Sequence, residues 1–310
     1  MLASLPLVGV SGEWAALVAA LLWSIAAVIF SGFAGRVSPL GLNLLKGYFA
    51  IGYLSLTLAI APFFGGARIS GGTATSWLLL LMSGAIGIGI GDTFYFEALH
   101  DIGPRKTLLL KVLAPAIAAI LAWGTLRETL TVQDGFGIGI TIAGVAWVIS
   151  ERTPALTTSD SPSNSTSQLR GVMFALLAAI TEAIGAVMSR MAFLETNVDP
   201  LWSTWLRLVG GAIVVMGMLF WQQTPVFLGD RLGRKQILLT ILGVAFFSTY
   251  LGIWLQQIAL KSTAAAIAQT LGATSPLFVL AITAIQGKVV SGRSIVGAIA
   301  AVLGIWVLLN

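Results

Sequence analysis

Residues 200–276 repeat residues 39–115 at a constant shift of 161 with no gap: Pro200 falls on Pro39, Arg207 on Lys46, Ala259 and Leu260 on Ala98 and Leu99, and Pro276 on Pro115. A one-residue slip farther on sets Gly304 on Gly144, so the register covers almost all of both halves. The chain is a tandem duplication. Where each copy carries an odd number of membrane spans, the second copy enters the bilayer from the opposite side, and inverted repeats of that kind serve transporters more than any other class.

The composition supports membrane spans. Hydrophobic residues make up 57% of the chain and charged residues 9%, against roughly 25% charged in a soluble domain, which leaves no room for a soluble catalytic domain. Ten continuous apolar stretches, each near the ~20 residues that cross a bilayer as a helix, fall at 13–34, 39–61, 74–98, 105–124, 132–150, 170–191, 200–221, 236–259, 263–285 and 292–309. Continuous runs favour helices over the alternating pattern of a barrel, since each helix satisfies its own backbone in lipid. The predicted fold is all-α and integral to the membrane, with ten transmembrane helices in two inverted five-helix repeats. Residues 1–150 form the first repeat, 151–169 a Ser/Thr/Pro-rich flexible tether, and 170–310 the second repeat. The tether is too polar to bury a core.

Several features refine this layout. Gly84, Gly87, Gly89 and Gly91 in the third span, and Gly135, Gly137, Gly139 and Gly144 around the fifth, are expected to let helix backbones approach closely. Trp14, Trp77, Trp123, Trp147, Trp202, Trp205, Trp221 and Trp306 lie near span ends, where amphipathic rings are favoured, whereas Trp23 and Trp254 fall inside spans. Each of these two is read either as core or as a flat wall for a ligand. Residues 1–11 hold no Lys or Arg, so the first span is expected to be retained rather than cleaved. The lack of Cys excludes disulfides and thiolate metal sites; no metal and no cofactor is expected.

The joints on the face of the termini carry four Lys or Arg and those on the opposite face ten. The positive-inside rule therefore puts the tether face in the cytoplasm. The net charge of +5 belongs largely to that face and is assigned to lipid headgroups and topology, not to nucleic acid.

The chemistry must lie in the ionisable residues left inside the spans, each of which costs about 2.5–3.5 kcal/mol at a helix centre unless paired or facing water. They are Lys46, Asp92, Glu97, Lys111, Glu182 and Arg207. Lys46, Asp92 and Lys111 sit at a common depth in one repeat, so Asp92 is expected to pair with one lysine and leave the other for a ligand. Glu97, about 140° round the helix from Asp92, points elsewhere and is read as an interfacial charge beside Arg105 or Lys106. Glu182 lies near mid-membrane with no partner in its own repeat, which makes it the candidate proton carrier.

The copies differ where the charges are. Arg207 keeps the charge of Lys46, but Asp92 corresponds to Ile253 and Lys111 to Gly272. Repeat two offers instead Gln256, Gln257 and Gln269, with Ser203 and Thr204 one turn before Arg207. In the fourth span Thr107, Lys111 and Pro115 recur every four residues and are expected on one face. Pro115 removes a backbone donor, and Pro276 repeats the break in the ninth span, read equally as a packing kink or as a discontinuous helix at the repeat interface.

The stretch Gly91-Asp-Thr-Phe-Tyr-Phe-Glu-Ala-Leu-His-Asp-Ile-Gly103, then Leu113-Ala-Pro115 and Leu126-Arg-Glu128-Thr-Leu-Thr131, resembles the EamA-type repeat of the drug/metabolite transporter superfamily. Leu22-Trp23-Ser24 in the first span is close to that family's usual Trp-Gly. The resemblance covers both repeats. It implies a ten-helix basket around a central cavity lined mainly by spans one, three, four, six, eight and nine. It also implies export of a small metabolite or toxic compound, in many members with a proton gradient. Two departures stand out. Lys288 occupies the place of Glu128 in repeat one, and the family's termini are usually cytoplasmic, opposite to the charge count. An intramembrane lysine in the fourth span also resembles the sugar-phosphate branch.

The expected function is a proton-coupled secondary transporter in the cell (inner) membrane, exporting a small polar metabolite, either an amino-acid-like zwitterion or a monoanion. Lys111, Lys46 and Arg207 are expected to contact its acid group, with Gln256 and Gln269 adding hydrogen bonds and Trp23, Tyr95 and Trp254 supplying apolar wall. Glu182, Asp92 and Glu97 are the candidates for ion coupling. The expected partners are a small-molecule substrate, membrane lipid and protons, with a monomer sufficient and no nucleic acid. A sugar-phosphate or organic-anion exchanger and a lipid-headgroup flippase are the alternatives within the superfamily. An intramembrane lipid enzyme is the alternative outside it; the adjacent His100 and Asp101 are its only His-carboxylate pair, and they are read as an exposed joint.

Overall fold

The computed structural model describes residues 11–33, 35–61, 72–150, 165–228, 233–285 and 290–309. Among them lie ten helical stretches long and apolar enough to cross a membrane. They are built from α1 (Gly12–Ser31), α2 (Pro39–Ile60), α3 (Ala74–Gly84), α4 (Asp92–Lys111), α5 (Ala114–Leu126), α6 (Val132–Ser150), α7 (Ser165–Glu195), α8 (Pro200–Gln222), α9 (Arg234–Ala245), α10 (Gly252–Ser262), α11 (Ala265–Gly272), α12 (Ser275–Ile285) and α13 (Gly292–Leu309). The fold is all-α and integral to the membrane, with five spans in each of two inverted repeats, as the sequence predicts. Residues 151–164 of the expected tether lie outside the described residues, and Ser165–Leu169 already belong to α7.

The register of the duplication is repeated in the backbone. α3 passes into a π-helical segment, Ala85–Gly91, and α9 into another, Phe246–Leu251, so both segments begin at the same position of their repeats. The third and eighth spans are thereby longer than the sequence reading, Ala74–Gly103 and Arg234–Ser262. The fourth span is two helices: α4 ends at Lys111 and α5 begins at Ala114, with Pro115 in its first turn. In the ninth span α11 ends at Gly272 and α12 begins at Ser275, with Pro276 next to it. A proline in a first helical turn loses no intrahelical bond. Thr107 and Lys111 precede the break and Pro115 follows it.

A π-helix leaves carbonyls without their usual partner, and side chains from neighbouring helices fill the gap. Asn43 Nδ2 on α2 donates to Ile88 O at 3.0 Å, and Trp23 Nε1 on α1 donates to Ser248 O at 2.9 Å. Glycines provide the close approach that this needs. A Cβ at Gly84 would stand 1.8 Å from Arg207 O of α8, and one at Gly210 of α8 would stand 2.1 Å from Leu81 O. α6 and α13 pack in the same manner through Gly137, Gly144, Gly297 and Gly304. Gly135 and Gly139 face open space instead, so they are not part of this contact.

The ends of the bundle are tied by polar contacts between repeats. Arg190 of α7 pairs with Glu128 at 2.7 Å and donates to the carbonyls of Leu260 and Lys261, while the other Glu128 oxygen accepts from Ala265 N at 3.1 Å. At the opposite end Arg170 forms two 2.7 Å hydrogen bonds to Asp101, and the backbone around Val37 pairs with that around Phe227. Exposed Trp14, Trp77, Trp123, Trp147, Trp221 and Trp306 lie near helix ends. Trp202 and Trp205 stack on one another at 4.9 Å, and Trp205 Nε1 donates to Ser55.

Candidate functional site

Two ion pairs and one lone cation stand on α2, α4, α7 and α8. Lys46 of α2, itself buried, pairs with Asp92, the first residue of α4 after the π segment. Lys111, in the fourth span beyond the kink at Gly103 that divides α4, pairs with Glu182 of α7 at 2.8 Å. The second pair crosses between the repeats, so the expectation of one lysine left for a ligand is not met: both lysines are engaged. Glu182, which has no partner within its own repeat, finds one in the other.

Lys111 and Glu182 each keep 26% of their side-chain surface and Asp92 keeps 28%. An ionisable group deep in a membrane-spanning bundle faces protein or water rather than lipid, and these three side chains are half-buried rather than sealed. Tyr95 lies beside one pair, its ring centroid 4.5 Å from Lys111 Nζ, and Phe96 lies beside the other, 5.3 Å from Lys46 Nζ. Cation–π contacts of this kind hold an ammonium group without neutralising it.

Arg207 is different. It is 4% exposed, and its Nε and Nη1 have no hydrogen-bond partner. Its nearest carboxylate influences are Asp92 and Glu182, both already matched to lysines. Gly87 of the first π segment lies against the guanidinium, where a Cβ would be 3.4 Å from Nη2. One turn earlier on α8, Ser203 donates to Gln257 Oε1 at 2.8 Å, leaving Gln257 Nε2 unpartnered.

The remaining expected residues divide. Gln269 is buried with Nε2 unpartnered, and Gln256 is half-buried on α10. Trp254 packs in an apolar cluster with Tyr250, Ile253 and Leu54. Trp23 fastens the second π segment and lies against Gly252 and Gly272, the latter being the position that Lys111 holds in repeat one. Glu97 belongs to neither interior pair; it sits farther along α4 in the field of Asp101, His100 and Arg170. The side chain of Arg105 lies outside the described residues, as does Lys288. His100 is exposed and touches Asp101, which Arg170 already holds. Among the described residues no group of His, Asp and Glu is arranged to hold a metal ion.

Asn43 is the residue that the sequence reading missed. It is buried, bonds to Ile88 O and to Thr93 Oγ1, and keeps Oδ1 unpartnered. The signal was an amide in an apolar run three residues before Lys46, at the position that Thr204 holds before Arg207. A surface groove of about 450 Å³ between α12 and α13 is lined by Leu277, Leu280, Val302, Leu303 and similar residues, with no ionisable group.

A sequence model of the EamA-like transporter family matches residues 10–150 and again residues 169–310. No curated protein sequence matches the chain significantly. A solved crystal structure superposes with a TM-score of 0.72 over 96% of this chain and 95% of its own, at 18% sequence identity, which shows a shared fold.

Proposed function

We infer that this chain, which belongs to the EamA-like transporter family, is a proton-coupled secondary transporter that exports a small polar metabolite, a zwitterion or monoanion, across the cell (inner) membrane by alternating access. The family establishes a multi-pass membrane transporter; substrate and coupling are our proposal. One observation carries it. The half-buried ion pair between Lys111 and Glu182 joins the two repeats, where a change of charge acts on the element that must move.

In this scheme a proton on Glu182 discharges its carboxylate, and Lys111 loses its counter-ion. Besides Lys111, the ionisable groups acting around Glu182 are Tyr95, Asp92 and Arg207. The freed ammonium then seeks an anionic group of the substrate, which ties proton binding to substrate binding. Lys46 and Asp92, paired within one repeat, keep that half of the site fixed. Tyr95 supplies apolar surface and holds Lys111 from one side. The two π segments let each repeat flex near these charges, since π segments in transmembrane helices concentrate at functional positions.

The test is flux in proteoliposomes under an imposed pH gradient, read with an internal pH dye against a metabolite panel. Wild type should move protons only when substrate is present. Glu182→Gln should keep substrate exchange but lose its dependence on the pH gradient. Proton movement unchanged in Glu182→Gln would remove Glu182 from the coupling role.

A further inference from the structure

The duplication shows what Arg207 lacks. In repeat one the cation Lys46 on α2 is answered by Asp92 on α4. At the equivalent places of repeat two, the cation is kept as Arg207 on α8, but Ile253 of α10 stands where the carboxylate would be. Among the described residues the interior therefore holds three cations (Lys46, Lys111, Arg207) against two carboxylates (Asp92, Glu182), and the cation outside an ion pair is one buried guanidinium with two unpartnered nitrogens, in the field of carboxylates that already hold lysines. An uncompensated buried charge is strongly unfavourable. A protein keeps one where something else supplies the counter-charge.

The same inventory says what that something is. Both interior carboxylates already face an ammonium group, so an amine on the ligand would have to displace a lysine to find a partner. The unpartnered groups of Arg207 itself, Nε and Nη1, are donors. A planar guanidinium matches a carboxylate with two parallel hydrogen bonds.

We propose that the transported ligand is a monoanion with one acid group, that this group binds Arg207, together with Lys111 once Glu182 is protonated, because Ile253 stands where repeat one has a carboxylate, and that the site has no subsite for an ammonium group. This rests on the transporter reading above and narrows its substrate from a zwitterion or monoanion to the monoanion.

The test uses the full-length protein in detergent and follows thermal unfolding with acetate, propionate and benzoate, their primary amides, the matching amines, and glycine and phenylalanine as zwitterions. Carboxylates should raise the transition temperature of wild type, and amides, amines and zwitterions should not. Ile253→Asp places an internal carboxylate opposite Arg207 and should weaken carboxylate binding by roughly thirtyfold or more. Ile253→Asn, of the same shape without the charge, should retain it. If Ile253→Asp does not fold, Arg207→Gln carries the same expectation of loss. The proposal is overturned if no carboxylate stabilises wild type, if amines or zwitterions stabilise equally, or if the carboxylate effect survives in both Ile253→Asp and Arg207→Gln. Flux in proteoliposomes separates the two readings. Carboxylate binding that is lost in Ile253→Asp, with no flux in wild type, leaves the anion site standing and removes the transport reading. Proton-driven flux of a neutral or cationic solute that Ile253→Asp leaves intact does the reverse.

Discussion

Repeat one pairs the cation of its second span within the copy, and repeat two does not pair the equivalent cation on α8. Lys46 meets Asp92 within the first copy, and the equivalent pair in the second copy is Arg207 with Ile253. The backbones around the two sites match closely, with both π segments starting at the same position and both proline-bearing helices breaking at the same place. The difference teaches that duplication sets the frame twice and that divergence of single side chains inside it makes the site. Lys111 is matched by Gly272, and its partner Glu182 comes from the other copy. The first repeat supplies most of the charge, and the second supplies one carboxylate and the cation left open.

Opposite signs should follow from removing charge in the two copies. Asp92→Leu leaves buried Lys46 without a partner and should destabilise the protein by about 3–5 kcal/mol. Arg207→Leu removes a charge that is already unpaired and should leave stability unchanged or raise it, at the expense of function. Denaturation of both variants in the same detergent checks this. Equal losses would mean that Arg207 is as well compensated as Lys46, and the comparison would fail.

The glycine contacts separate the copies next. A Cβ at Gly84 meets the Arg207 carbonyl at 1.8 Å, so Gly84→Ala should cost about 3 kcal/mol or more through forced separation of α3 and α8. The equivalent residue of repeat two is Ala245, buried with its Cβ in place. Ala245→Gly should cost only about 0.5–1 kcal/mol. Thermal unfolding of the two variants ranks them, and a mild Gly84→Ala would show that α8 can move away from the π segment.

The smallest effects concern the side chains that cap the π segments. Trp23→Phe leaves the Ser248 carbonyl without its donor and Asn43→Leu does the same to Ile88. Each should cost about 1–2 kcal/mol. Hydrogen exchange should rise locally around 246–251 in the first variant and around 85–91 in the second. Exchange that rises equally at both segments in either variant would mean that the two π segments open as one unit.

The ten spans, the inversion and the residues worth watching were legible in the sequence, because each depends on hydropathy and spacing along a continuous stretch. The π segments were not legible. Gly87, Gly89 and Gly91 marked close helix approach and not a change of helix type, and Phe246-Phe-Ser-Thr-Tyr-Leu251 carries no such glycines, so the sequence reading predicted neither π segment. The turn of the helix already set Glu97 apart from Asp92, but its neighbours Asp101, His100 and Arg170 came only from the packing. Glu128 and Arg190 gave no sign of joining the repeats, since neither contact is made within a single helix.

By itself the sequence determined that this chain spans a membrane ten times as a doubled unit, and that Asp92 and Lys111 have no charged counterparts in the second copy. Burying apolar length and satisfying the backbone are requirements that each span meets from its own residues. Only the tertiary structure decided that Lys111 belongs to Glu182 and that Arg207, among the described residues, has no ion pair of its own. A charge selects its partner by distance across the packed bundle, and that distance is set by how α4, α7 and α8 come together.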